Sequence, residues 1–289
     1  MKRIAILGCE NSHADHFIRE TKENPKYADY EIVGVYSIDE EASKKLADDF
    51  GVPILSSYDE VVGKVDGIII TARDGKYHYE YAKPYIESKI PMFIDKPITA
   101  NPDEAVEFMR ELRDAGIKVC GGSSLCQADE IIALRESVLT EKDGRTMGGV
   151  VRAPLKSDSP HSGIYFYSPH LVEMVCTVFG RFPKSIKAYS VEDQKTVIFR
   201  YEKYDIVGIF TEHSFKYFAA RFSESGSEGG VVAGARVWFQ REFAEFDELM
   251  NGGEQPLTYD EFISSVFIID AIAKSLETGE EITIREYKV

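Results

Sequence analysis

Three groups of residues in this chain have the types and placement for chemistry. Ile94-Asp95-Lys96-Pro97 puts an acid, an amine and a rigid turn at the end of an apolar run. A lysine just past a buried strand can reach a cleft and hydrogen-bond the hydroxyls of a substrate and of a cofactor ribose. Ile4-Ala5-Ile6-Leu7-Gly8 reads as a buried strand ending in glycine, the usual opening of a nucleotide-binding βαβ unit. His170, far downstream, supplies a proton acceptor. Together they point to oxidation and reduction with a nicotinamide cofactor. Glu10 opposes that reading, because it stands where such a turn has glycine.

The turn after the first strand is Gly8-Cys9-Glu10-Asn11-Ser12-His13. A G-x-G-x-x-G turn uses glycine for tightness and for close approach of backbone amides to a pyrophosphate. Only the first glycine is present. One like-charge contact at ~4 Å and an effective dielectric of ~20 costs about 4 kcal/mol. Glu10 therefore points away from a diphosphate, is neutralised, or excludes one in the usual pose. Asn11 and Ser12 are helix-capping types that can present amides. His13 and His16 add two imidazoles at the same end, and a plain strand–helix turn is the alternative.

The second strand ends in Tyr36-Ser37-Ile38-Asp39. An acid there selects NAD, whereas a small residue with a nearby arginine selects NADP. Ser37 is uncharged, no arginine follows, and Asp39 reads as a helix cap, so NAD or NADP stays open. Thr71, Arg73 and His78 follow another buried strand, at an edge where open α/β sheets bind ligands; His78 suits a cap or solvent equally well. The candidate cofactor residues are thus Gly8, Cys9, Glu10, Asn11, Ser12, His13, Ser37, Thr71, Arg73, His78, Asp95 and Lys96. The spacing of His13, His16, His161 and His170 fits no ligand motif, so no metal is expected.

The first ~120 residues alternate apolar runs with amphipathic segments, which predicts a parallel sheet flanked by helices. Strands are expected at 3–7, 31–36, 67–71, 91–94 and 118–120. Helices are expected at 12–23, after an Asp39 cap, at 76–87 with Pro84 as a kink, and after Asn101-Pro102 up to Gly116. Gly121-Gly122-Ser123-Ser124 reads as a hinge. Beyond it, strand-like segments at 149–157, 185–189, 196–201, 205–211, 215–222 and 230–239 predict a mainly antiparallel sheet. A helix is expected at 169–179 and a long one at 258–277. The fold class is α/β: a Rossmann-type doubly wound parallel sheet in domain 1–121, then an α+β domain, 122–289, with an open sheet.

A chain of 289 residues accommodates two cores. Its formal charge of -15 argues against nucleic acid and anionic membranes as partners. Cys9, Cys120, Cys126 and Cys176 fit no zinc or redox pattern and read as reduced thiols. No apolar run approaches the ~18 residues of a membrane span, and no signal-peptide run follows Met1, so a soluble cytoplasmic protein is expected.

With these elements in order, the sequence resembles the Gfo/Idh/MocA family of sugar and polyol dehydrogenases. The carrying residues are 3–8, the helix of 39–50, Val65-Asp66-Gly67-Ile68-Ile69-Ile70-Thr71, Asp95-Lys96-Pro97 in place of Glu-Lys-Pro, and the ending from 262 to 284 with Thr278-Gly279. The resemblance covers nearly the whole chain. It implies an NAD(P)-dependent dehydrogenase in which Lys96 orients a sugar- or polyol-like substrate and His170 takes the hydroxyl proton. It also implies a homo-oligomer, dimer or tetramer. The family pattern has Asp four residues before this histidine and three after it; here Phe166 and Glu173 stand there. His170 and Glu173 share a helix face at i, i+3 and form a candidate oriented base. The departures at Glu10 and Phe166 fit two other functions: a non-catalytic ligand-binding or regulatory protein, or a redox-assisted lyase or hydrolase holding its cofactor tightly.

Overall fold

The computed structural model describes residues 1–234 and 236–289. The chain forms two compact units. One comprises Met1–Gly122, Phe239–Phe262 and Val289; the other comprises Ser123–Trp238 and Ile263–Lys288. A single division at 121/122 assigns Phe239–Phe262 to the second domain, whereas this segment packs with the first.

The first unit is built on five parallel strands: β1 (Lys2–Leu7), β2 (Tyr30–Tyr36), β3 (Gly67–Ile70), β4 (Met92–Asp95) and β5 (Val119–Gly122). Their order is β2-β1-β3-β4-β5, so the winding reverses between β1 and β3. The β-branched run Ile68-Ile69-Ile70 is fully buried, as a strand covered on both faces requires. Helix α1 (Ser12–Glu23) follows β1, with Asn11 as its cap accepting from the His13 amide. Asp39 caps α2 (Glu40–Phe50) through the Ala42 amide. The expected helix at 76–87 is broken: α3 covers only His78–Ala82, between 3-10 turns Gly75–Tyr77 and Lys83–Ser88. Pro84 lacks the amide that would continue the α-pattern. Helix α4 (Pro102–Ala115) has the expected Asn101 cap and Gly116 terminus. Gly121 and Gly122, expected in a hinge, are the last residues of β5. A Cβ on Gly121 would lie 2.1 Å from the Ile94 carbonyl oxygen, so the close approach to β4 requires glycine.

In the second unit, helix α5 (Asp129–Leu139) precedes β6 (Thr146–Pro154), and α6 (Ser168–Phe179) precedes β7 (Ser185–Val191), β8 (Gln194–Arg200), β9 (Asp205–Thr211), β10 (Tyr217–Ser223) and β11 (Ser227–Val232). With β12 (Ile282–Thr283) the sheet order is β11-β10-β6-β9-β8-β7-β12. All pairs are antiparallel except β6 with β9. The expected strand at 230–239 ends at Val232, and α7 (Arg236–Met250) begins soon after; Ala235, also within that expectation, lies outside the described residues. Phe239, Glu242, Phe243, Phe246 and Leu249 recur at helical spacing, and Phe243, Phe246 and Leu249 are buried in the first unit's core with Phe17 and Phe93. Helix α8 (Tyr259–Thr278) closes the chain's helical part. Among the described residues, no helix is long and apolar enough to cross a membrane.

Candidate active site

The carboxyl edge of the parallel sheet gathers most of the residues singled out in the sequence. Gly8 leaves β1 at φ +77°, and a Cβ there would sit 2.4 Å from the Ala72 N and Cα. The turn is held against the end of β3, which explains why this glycine is kept. Cys9 is buried with Sγ 3.5 Å from Ser43 Oγ, and burial pushes its thiol up to about 11, so it is not a nucleophile near neutrality. Thr71 donates through Oγ1 to the Gly8 carbonyl at 2.9 Å. Asn11 donates from Nδ2 to the Thr71 carbonyl (2.6 Å) and to Asp95 Oδ2 (2.9 Å), tying the α1 cap to the ends of β3 and β4.

Glu10 is turned sideways across this edge. Ser37 Oγ donates to its Oε2 at 2.7 Å, and the Arg73 amide donates to its Oε1 at 2.8 Å. The Arg73 guanidinium also hydrogen-bonds the Glu10 carbonyl. The carboxylate therefore bridges the ends of β2 and β3 over β1. Ser12, at the first position of α1, is exposed.

Asp95 is fully buried at the end of β4. Its Oδ1 accepts from the Lys96 amide at 2.7 Å, and Oδ2 lies 3.3 Å from His13 Nδ1. Lys96 is half-buried at this edge. His13 occupies the position of the motif's third glycine and is buried between Asp95 and Glu242 of α7, whose Oε2 is 3.3 Å from His13 Nε2. Burial pulls the imidazole down, but the Asp95 and Glu242 carboxylates outweigh it and hold His13 above the ordinary histidine range. Glu242 is itself pushed up to about 7, because loss of hydration exceeds the attraction of His13. The 3.3 Å contact lacks hydrogen-bond geometry, so both Glu242 oxygens are buried with an ionic neighbour alone. The sequence reading missed Glu242, since the periodicity of α7 was its only signal.

His78 turns inward rather than to a cleft. It is fully buried, its Nε2 is 2.9 Å from the Ala72 carbonyl, and burial lowers its pKa. It braces the segment after β3 from within.

In the second unit, His170 is half-buried near the start of α6, with Nδ1 2.8 Å from Ser123 Oγ. In the tautomer whose Nδ1–H donates to Ser123, Nε2 carries the lone pair a base needs. The expected pairing with Glu173 is not formed: Glu173 is buried and accepts from Arg181 Nη1 at 3.0 Å. A carboxylate taken out of water requires a cation, and Arg181, just past α6, supplies it. Phe166 stacks at an angle between His161 and Tyr167, with ring centroids at 5.1 and 5.0 Å. Among the described residues, no group of three or more His, Cys, Asp or Glu is arranged to hold a metal ion.

Comparison with known proteins agrees with this geometry. The family described as an oxidoreductase family with an NAD-binding Rossmann fold, GFO_IDH_MocA, matches residues 2–122. No curated protein matches the sequence. Among solved structures, a myo-inositol dehydrogenase from Corynebacterium glutamicum is similar at 18% identity and a TM-score of 0.83, over 99% of this chain and 100% of that one. A myo-inositol 2-dehydrogenase from Lactobacillus plantarum is similar at 14% identity and a TM-score of 0.86, over 98% and 99%. A scyllo-inositol dehydrogenase from Lactobacillus casei, with bound NAD(H) and scyllo-inositol, is similar at 11% identity and a TM-score of 0.83, over 98% and 99%. At these identities the likeness is one of fold.

Proposed function

We propose that this chain, whose residues 2–122 match the NAD-binding Rossmann fold of the Gfo/Idh/MocA oxidoreductase family, is a dehydrogenase acting on a hydroxyl or carbonyl of a sugar- or polyol-like molecule. The observation that carries the proposal is the convergence of the Gly8 turn, the α1 N-terminus and Asp95-Lys96 at one carboxyl edge. Residues there fit a dinucleotide: Gly8, at φ +77°, turns the chain from β1 into the Asn11-capped start of α1, whose N-terminus lies at the same edge. When bound, a nicotinamide dinucleotide supplies the two-electron acceptor or donor. The Gly8–Ser12 turn would hold its pyrophosphate.

The chain's own residues do the remaining work. Lys96 holds the substrate oxygen by hydrogen bonding, its backbone fixed by Asp95. His170 takes the hydroxyl proton at Nε2, with Ser123 fixing the ring through Nδ1. Glu173 has a structural part, as the partner of Arg181. The inositol dehydrogenases of similar fold make cyclic polyols the first substrates to try. Exposed Tyr189, Val191, Phe222 and Val231 on strands of the second sheet support a homo-oligomer, dimer or tetramer, which light scattering would show. Four unpaired thiols support a reducing compartment such as the cytoplasm.

The test is calorimetric titration with NAD⁺, NADH, NADP⁺ and NADPH after a check for co-purified cofactor, followed by a polyol screen. Micromolar binding and net cofactor reduction are expected. Retained cofactor without net turnover would point to redox-assisted elimination or hydrolysis. Absence of binding would support a regulatory protein, the reading favoured by a carboxylate lying across the edge.

A further inference from the structure

Ser37 follows β2 without the acid that ordinarily accepts a hydrogen bond from the adenosine 2′-hydroxyl. A carboxylate is nevertheless present at that point, because Ser37 Oγ donates to Glu10 Oε2 at 2.7 Å. The arrangement is fixed from several sides. Ser37 Oγ also accepts from the Asp39 amide at 3.0 Å, the Arg73 amide holds Glu10 Oε1, and the Arg73 guanidinium grips the Glu10 carbonyl. Since β1 lies between β2 and β3, the bridge sits where the strand order reverses, the place where open α/β sheets take ligands.

We infer that Glu10 sets the choice of cofactor: its carboxylate, delivered from the turn after β1 to the end of β2, accepts from the adenosine ribose of NAD and repels the 2′-phosphate of NADP. The inference rests on the reading of this edge as a nicotinamide dinucleotide site. Each carboxylate oxygen has two acceptor positions, so the bonds to Ser37 and Arg73 leave capacity for ribose hydroxyls. A 2′-phosphate would bring about two negative charges to the same place, with Asp39 two residues beyond Ser37 adding another. The Arg73 guanidinium is engaged by the Glu10 carbonyl. Discrimination here works through repulsion of the wrong ligand as well as attraction of the right one. A sequence motif cannot show this, because the acid lies at the position of the motif's second glycine and reaches the ribose position only through its side-chain direction.

The experiment measures dissociation constants for NADH and NADPH by calorimetry in the intact protein and in Glu10→Gln, Glu10→Ala and the double variant Glu10→Gln/Ser37→Asp, with melting curves confirming that each is folded. The intact protein should prefer NADH by at least ~30-fold, since the half-exposed site screens much of the direct repulsion. Glu10→Gln and Glu10→Ala should reduce the preference to within ~3-fold, and the double variant should restore it by returning an acid to the end of β2. Equal tightening of both dinucleotides in both single variants would overturn the inference and make Glu10 a plug over the diphosphate position. A preference for NADPH, or an NADH preference unchanged by both substitutions, would also overturn it while leaving the dinucleotide site intact. Failure of every folded protein to bind either dinucleotide would instead overturn the cofactor reading itself, and this inference with it.

Discussion

Replacing Glu242 with glutamine should stabilise the protein at pH 8 and change little near pH 5. Glu242 is 1% exposed; His13 is its ion-pair partner, and the Asp95 and Glu245 carboxylates nearby add repulsion. Its carboxyl is pushed from 4.5 up to about 7 by burial, against the pull of His13. Between those values the folded chain keeps a proton that the unfolded chain has lost, so stability falls as pH rises across this window. At roughly 1.4 kcal/mol per pH unit, the shift is worth about 3 kcal/mol, fully lost above the folded pKa. Glutamine has the shape of the protonated acid and no proton to lose. His13, held above its ordinary range, contributes stability that is present below about 6.5 and lost as pH rises through its folded value. Removing one of its two carboxylates moves that loss to lower pH, so the gain of the variant at pH 8 stays below about 3 kcal/mol. His78, lowered by burial, acts with the opposite sign but equally in both proteins, so it cancels in the difference. Urea unfolding followed by circular dichroism at pH 5, 6, 7 and 8 gives the difference directly. A variant less stable by about 3–5 kcal/mol at pH 8 would mean that Glu242 is ionised throughout as the counter-ion of His13, and would refute the argument.

Lys96→Ala should lower turnover by at least ~100-fold if its ammonium positions the substrate; near-normal rates on a reactive polyol would remove it from that role. Glu173→Ala leaves Arg181 buried without its carboxylate and should cost about 3–5 kcal/mol in urea unfolding. Unchanged stability with an altered pH profile of kcat/KM would instead return Glu173 to the side of His170. Gly8→Ala combines a left-handed backbone position with a Cβ 2.4 Å from Ala72 backbone atoms, and should cost about 3 kcal/mol in thermal unfolding; a wild-type Tm would show that the turn can move away from β3.

Much of the first unit could be read in the sequence, because its signals are local. Buried β-branched runs mark β1 and β3, while Asp39, Asn101 and Gly116 mark helix ends through their own side-chain or backbone preferences. What failed was non-local. The segment 230–239 begins with glycines and valines that suit a strand, and only the spacing of Phe239, Phe243 and Phe246 reveals the helix. That helix matters because a residue on it, Glu242, meets His13 from far along the chain. Likewise, Glu173 lies at the right helical offset from His170, but a buried carboxylate goes to the available cation, and Arg181 is that cation.

The two lost glycines of the first turn show the same division between residue type and environment. As sequence, Glu10 and His13 are departures that weaken a nucleotide-binding motif. In the structure they have opposite characters. Glu10 is half-exposed, and each carboxylate oxygen accepts a short hydrogen bond from a different strand end, so its charge is both satisfied and accessible to a ligand. His13 is buried and faces two carboxylates, one of which, Glu242, lacks hydrogen bonds. A satisfied, accessible charge can select between ligands at little cost to the fold. A buried and poorly bonded one makes the fold itself sensitive to pH. The turn therefore separates the two effects by three residues: substitutions at Glu10 should appear in cofactor affinity, and substitutions at His13 or Glu242 in stability, with its pH dependence as the distinguishing mark.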